Sequence, residues 1–256
     1  MTTSTGPVID TTTVTSLLAA LSLFVIAYAL GNVVLPKQSS KRTRVLFVWH
    51  LFDSLIHFTF EGSFLYNCFF TYIDLPGPPS YLSPSHAILT PPGVYFLGQS
   101  NRLYGSAFGN NPTAKLWQEY TKADKRWGGA DLTVISLELL TVLIGGPLAA
   151  YICYLLSKGH GDTTSTSSKM KSLMTGKLSF WLIVLATGEL YGGFMTFAPE
   201  WLSGSTGLDT SNWMYLWLYL VFFNVLWVFL PLYALVMAYR SLTGASPLRD
   251  VEKKKM

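Results

Sequence analysis

Five long apolar stretches dominate this chain, and each is long enough to cross a lipid bilayer, which takes about 20 mostly apolar residues. The first, residues 12–34, has no charge between Asp10 and Lys37. The others run over residues 45–73, 132–156, 178–198 and 213–239. Backbone polar groups in lipid must be satisfied within helices or a closed barrel, and these lengths fit helices. The expected fold is an all-α integral membrane protein, a five-transmembrane-helix bundle. Hydrophobic residues make up 50% of the chain and charged residues only 12%, against about 25% charged in soluble domains. A net charge of +4 is too small to argue for a nucleic-acid partner. Gly145-Gly146-Pro147 predicts a kink in the third helix. Cys68 and Cys153 fall on opposite sides of the expected membrane and cannot pair, and no Cys/His zinc pattern exists. The N-terminus lacks the basic region of a signal peptide, so the first helix is expected to persist.

Basic residues set the orientation. Lys37, Lys41, Arg42 and Arg44 follow the first stretch; Lys158, Lys169, Lys171 and Lys177 follow the third; Arg240, Arg249, Lys253, Lys254 and Lys255 form the tail. These thirteen of the 18 Lys and Arg fall on one side, which places the N-terminus in the lumen and the C-terminus in the cytosol. The division that follows is residues 1–44 (lumenal N-terminus, first helix, basic linker), 45–239 (a four-helix membrane domain) and 240–256 (basic cytosolic tail). A long lumenal loop, 74–131, joins helices two and three. Its first part is Pro- and Gly-rich and predicted non-helical, and a short interfacial helix is predicted over 113–120. Residues 163–168 read as a flexible linker. Lys253-Lys254-Lys255-Met256 resembles a dilysine retrieval signal, which fits endoplasmic-reticulum residence in this orientation.

Inside the spans stand four acids, Asp53, Glu61, Glu138 and Glu189, and no Lys or Arg. Such residues are costly in lipid and mark function by default. Either several hold protons or they await a positively charged partner from outside the chain. A carboxylic acid in a dry pocket is a proton donor. Asp53, His57 and Glu61 are successive i, i+4 neighbours and share a helix face; His57 with Glu61 can share or relay a proton. His50, near the cytosolic end of that helix, is expected to be structural. Glu138 and Thr141 lie three apart on one face. Glu189 lies beside Tyr191, with Gly188, Gly192 and Gly193 expected to permit close helix packing. Trp217, Asn224 and Trp227 are predicted on one face of the last helix, where an indole could stabilise a cation. His50, Asp53, His57 and Glu61 could form a metal site by residue type, but their spread over three turns argues against one.

Several motifs resemble the emopamil-binding protein family, the sterol Δ8–Δ7 isomerase or EXPERA-type membrane proteins. His57-Phe58-Thr59-Phe60-Glu61-Gly62 is similar to its His-x-x-x-Glu-Gly, and Leu116-Trp117-Gln118-Glu119-Tyr120 to its Leu-Trp-Lys-Glu-Tyr. Glu138-Leu139-Leu140-Thr141 with Gly146-Pro147 resembles Glu-x-x-Thr…Gly-Pro, and Asn224-Val225-Leu226-Trp227 with Pro231 resembles Asn-x-x-Trp…Pro. The resemblance implies a five-helix endoplasmic-reticulum protein that protonates a ring alkene, holds a carbocation and removes a neighbouring proton. Carried onto this chain, His57, Glu61 and Glu138 are the acid–base set, Thr141 and Asn224 orient it, and Trp227 faces the cation. Asp53, Glu189 and Tyr191 complete the expected substrate- and cation-binding surface. Glu189 stands where isomerases carry Gln, and Asp53 where no acid is expected. With Ala123-Asp124-Lys125-Arg126-Trp127 and Pro199-Glu200-Trp201-Leu202, these choices look closer to the emopamil-binding protein-like branch.

Three functions remain open from the sequence. The first is an isomerase acting on a hydrophobic alkene, most simply a sterol. The second is a terpene or meroterpenoid cyclase of the same fold, with Asp53 or Glu189 as initiating acid. The third is a non-catalytic binder of lipid or cationic amphiphiles. All need membrane lipid, none needs a metal or other cofactor, cationic amphiphilic amines are expected inhibitors, and a homodimer is allowed.

Overall fold

The computed structural model describes residues 9–76, 94–158 and 168–244, with the backbone alone over 168–174. Most of the proline-rich part of the long loop, the linker over 163–167 and the dilysine-like tail lie outside the described residues. Helix α1 (Thr11–Val34) begins at a reciprocal cap: the Thr13 amide donates to Asp10 Oδ1 at 2.9 Å and the Asp10 amide to Thr13 Oγ1 at 3.2 Å. It stops at Leu35, which Pro36 holds in extended backbone. Leu18, Phe24 and Val33 point outward from it, as a lipid-facing surface requires. Gly31 is its point of closest approach to α2, since a Cβ there would lie 3.1 Å from the Val48 side chain.

Helix α2 (Lys41–Ile56) runs without a break through a π-helical turn (His57–Glu61) into α3 (Gly62–Phe70). A short hairpin follows, with β1 (Tyr72–Asp74) antiparallel to β2 (Arg102–Tyr104). Helix α4 (Pro112–Thr121) is the short helix the sequence predicts, capped by Asn111 with proline in its first turn. Helix α5 (Leu132–Leu140) passes through a second π turn (Thr141–Gly145) into α6 (Gly146–Lys158). Helix α7 is Ser168–Leu202, and a third π-helical stretch (Tyr215–Phe222) leads into α8 (Phe223–Leu242).

Among the described residues, four helical stretches are long and apolar enough to cross a membrane: Thr11–Val34, Leu132–Lys158, Thr175–Leu202 and Tyr215–Leu242. The chain is a multi-pass membrane protein. The Gly145-Gly146-Pro147 irregularity is a π turn, with the Gly146 amide reaching back to the Thr141 carbonyl. It is also a crossing point. Ser54 Oγ donates to the Gly146 carbonyl at 3.0 Å, and a Cβ on Gly146 would stand 3.2 Å from that of His57.

Two packed regions frame the interior. One joins α2, α6, α7 and α8 through Leu46, Phe47, Ile152, Leu156 and Leu182. The other lies under the loop: Trp117 and Trp127 stack at 4.8 Å, and Phe64 meets Trp127 at 4.8 Å. Between them is a cavity of about 520 Å³, within the roughly 300–1,000 Å³ of small-molecule sites. All three π-helical stretches contribute residues to its wall, in keeping with the association of π-bulges with functional sites.

Candidate active site

The cavity wall is mostly apolar, and its ionisable groups include the acids the sequence singles out. Glu61, Glu138 and Glu189 reach it from three different helical segments, together with His57, Thr141, Asn224 and Trp227. Among the described residues lining it there is no Lys or Arg. His57 is gripped from both sides. Its Nδ1 bonds the Glu61 carboxyl one turn along, and its Nε2 lies 3.1 Å from Asp53 Oδ1 one turn back. The i, i+4 spacing read from the sequence thus becomes direct contact. Glu61 is within hydrogen-bond reach of Glu138, whose carboxyl accepts from Thr141 Oγ1 at 3.0 Å. On the other side, Asp53, His57 and Glu189 each bring one polar atom to within 4.8 Å of one another.

Several expected positions are corrected. Asp53 is fully buried and does not line the cavity; its Oδ1 accepts the indole N–H of Trp227 at 2.7 Å. It holds His57 and Trp227 rather than presenting itself to a ligand. Trp227 is packed edge-on against Trp49 at 5.2 Å. Asn224 does not orient the acids: its Nδ2 donates to the Tyr120 hydroxyl at 3.2 Å and to the Tyr219 and Leu220 carbonyls at 3.0 and 2.9 Å. Those carbonyls belong to the π-helical stretch, so Asn224 stabilises that winding. The same winding carries Trp217 off the expected face, leaving it 60% exposed. Gly188, Gly192 and Gly193 do not bring helices together. A Cβ on any of them would meet nothing within 4 Å, and all three line the cavity. Tyr191 is 65% exposed, at the cavity's outer edge. His50 is buried and its Nδ1 bonds the Leu46 carbonyl at 2.6 Å, a structural role.

A second polar network closes the cavity at the loop side, and sequence reasoning missed it. Glu119 Oε1 accepts from the hydroxyls of Thr13 and Tyr219, both at 2.9 Å, and Oε2 from Lys122 Nζ at 2.6 Å. Lys122 also reaches Asp10 at 3.1 Å. The Thr13 backbone bond, then Lys122, holds the Asp10 carboxyl down at about 2. Partial burial works against the Lys122 charge, but its bonds to Glu119 and Asp10 raise it above the ordinary lysine value. Thus α4 ties α1 to α8's leading π stretch. Near it, Arg126 bonds Asp124 in a bidentate pair at 2.9 and 2.6 Å and the Thr196 carbonyl at 2.5 Å.

These features define a class: a membrane helical bundle enclosing an apolar cavity with a connected acid–imidazole set on its wall. Residues 112–238 match the family model for EBP, the EXPERA (expanded EBP) superfamily, which supports the emopamil-binding protein family for this chain. It is 29% identical over 139 residues to the 3-beta-hydroxysteroid-Delta(8),Delta(7)-isomerase of Cavia porcellus, covering 54% of this chain and 52% of that one. The match to the mouse protein of the same name is 26% over 144 residues, 56% of each chain. The chain thus spans about half the length of these mammalian relatives. The isomeliandiol synthase of Melia azedarach is 23% identical over 235 residues, 91% of this chain and 86% of that one.

Proposed function

We propose that this chain is an intramembrane acid–base isomerase that moves the double bond of a hydrophobic alkene through a carbocation, of the sterol Δ8–Δ7 type. The observation that carries the reading is the Glu138–Glu61–His57 set on the wall of a mostly apolar cavity. A proton passes from an acid of this set to one alkene carbon. The cation that forms sits among carboxyls and the Trp227 indole, with no cationic side chain among the described residues lining the cavity to oppose it. A proton then leaves the neighbouring carbon into the acid set, the double bond forms at its new position, and the set is restored. General acid–base groups of this kind contribute about 10²–10⁴-fold each. Thr141 aims Glu138, His57 couples the acids, and Asp53 fixes His57 and Trp227.

A second reading, cyclisation of a terpenoid in the same cavity, is favoured by the near full-length match to a plant synthase and by the extra acid Glu189. A non-catalytic binder of lipid or amines is the third. Expression in cells lacking sterol Δ8–Δ7 isomerase, followed by sterol profiling, separates them. Conversion of accumulated Δ8 sterols to Δ7 sterols is expected; unchanged Δ8 sterols with a correctly inserted protein overturn the isomerase reading.

The continuous α2–π–α3 segment, about 45 Å long at 1.5 Å per residue, serves as the fifth crossing, its polar face turned inward. The distribution of basic residues supports an N-terminus in the lumen and a C-terminus in the cytosol, and the likeness to sterol isomerases supports residence in the endoplasmic reticulum. Cationic amphiphilic amines fit the acid-lined cavity as inhibitors.

A further inference from the structure

We infer that Glu189 is a second proton terminal of the cavity, joined through Asp53 to His57, so that protons are added to substrate at the Glu138 end and removed at the Glu189 end of one continuous relay. The inference rests on the proposed isomerase reading. Buried carboxylates are acceptors only and need partners. Yet neither oxygen of Glu189 meets a donor, and neither does Asp53 Oδ2, although Glu189 is only 9% exposed and Asp53 fully buried. One carboxyl oxygen each of Asp53 and Glu189 and one ring nitrogen of His57 lie within 4.8 Å of one another. The Asp53 and Glu189 carboxyls are within hydrogen-bond reach of each other, and two carboxyls bond only by sharing a proton. That links Glu189, Asp53, His57, Glu61 and Glu138 in order, with Thr141 at the far end. Both terminal acids line the cavity, as do His57 and Glu61 between them, whereas Asp53 does not.

Moving a double bond needs a proton added at one carbon and another removed from a second carbon, which suits two terminals better than one. The balance closes without a co-reactant. One proton passes from Glu138 to the alkene, one passes from the cation to ionised Glu189, and one shifts along Asp53, His57 and Glu61 to restore Glu138. The His57 Nε2–Asp53 contact is near enough but off the hydrogen-bond line, and such bonds tighten when substrate binds. Glycine at 188, 192 and 193 leaves the Glu189 wall open to a bulky ligand.

The test uses the full chain in lipid nanodiscs with a Δ8 sterol, comparing wild type with Glu189→Gln, Glu189→Asp and Asp53→Asn. Glu189→Gln should lower kcat by about 100-fold or more with KM little changed, and Glu189→Asp should recover part of the loss. In substrate-free protein, infrared carboxyl bands should respond as one set, Glu189→Gln shifting the bands that Glu138→Gln removes. Wild-type turnover that Glu189→Gln leaves intact overturns the relay. A wild type inactive on sterol refutes the isomerase reading, and the infrared experiment then decides the relay alone. Bands that respond independently overturn it, as does a stoichiometric divalent metal that Asp53→Asn or Glu189→Gln releases.

Discussion

The bond between the Trp227 indole and Asp53 links the last helix to the acid set, and a double-mutant cycle measures it. Asp53 is fully buried, its Oδ1 receives the indole N–H at 2.7 Å, and its other oxygen meets no donor. A hydrogen bond to a charged partner contributes about 1.5–3 kcal/mol, and a carboxyl that shares its charge with Glu189 belongs in the lower part of that range. Trp227→Phe keeps an aromatic ring against Trp49 but removes the donor; Asp53→Ala removes the acceptor. The coupling energy between them should be about 2 kcal/mol, read from thermal or denaturant unfolding in detergent. If the same bond also orients Trp227 in the transition state, the cycle in kcat/KM should show coupling of roughly 30-fold. Trp227→Leu should fall well below Trp227→Phe in activity, because a desolvated cation–π contact is worth about 2 kcal/mol or more. Additivity within about 0.5 kcal/mol in both measurements would refute the assignment of Asp53 as the residue that positions Trp227.

Glu61→Gln and Glu138→Gln should each abolish turnover while leaving expression and amine binding partly intact, and Thr141→Val, which removes one bond of about 1 kcal/mol, should cost roughly 5-fold; full turnover by either Gln variant would favour the non-catalytic binder. Gly146→Ala should destabilise the fold by about 1–3 kcal/mol, since its Cβ would press on His57 and Phe58 at 3.2 and 3.3 Å, whereas Gly188→Ala should be neutral or stabilising by up to about 1 kcal/mol; equal melting temperatures for the two would contradict the crossing geometry. The Asp10–Lys122 latch should respond to pH at both ends. The Asp10 carboxyl is depressed, so its contribution is complete above about 4 and is lost as pH falls through about 2. Lys122 is raised, so its contribution is complete below the ordinary lysine value and is lost only above it. Protease sensitivity near the start of α1 should therefore rise at both extremes, and a flat profile would remove the latch. A tag at Met256 should be cleaved by protease in intact microsomes while an N-terminal tag is protected; the reverse would invert the orientation.

What the sequence makes legible here is whatever depends on local spacing. Asp53, His57 and Glu61 at i, i+4 can only stack along one helix face, and Glu138 lies within reach of Thr141 for the same reason. Apolar length and composition mark α1, α5–α6, α7 and π–α8 as long and apolar enough to cross a membrane, whereas the proposed α2–α3 crossing carries so much polar chemistry that length and composition alone do not select it. The errors cluster where helical period fails. Trp217, Asn224 and Trp227 share a face only at 3.6 residues per turn, and the wider winding over Tyr215–Phe222 rotates Trp217 out to lipid. A π turn has no reliable sequence signature: the Asn224 side chain bonds two of its carbonyls four and five residues back, and nothing in the apolar pattern announces that choice of partner. The glycines of α7 fail for a related reason. Small residues permit either close packing or empty volume, and which occurs is decided by the helix opposite. Here α5 and its π turn hold back, and the space is left to a ligand. The Glu119 network is hidden differently, because its partners Thr13, Lys122 and Tyr219 lie up to 106 residues away. The buried position of Glu119 within Leu-Trp-Gln-Glu-Tyr was nevertheless inferable. A helix that lies at the interface, with Trp117 and Glu119 both turned inward, must supply that carboxylate with donors from the spans it covers, and α1 and the start of the last span are the elements whose ends reach it.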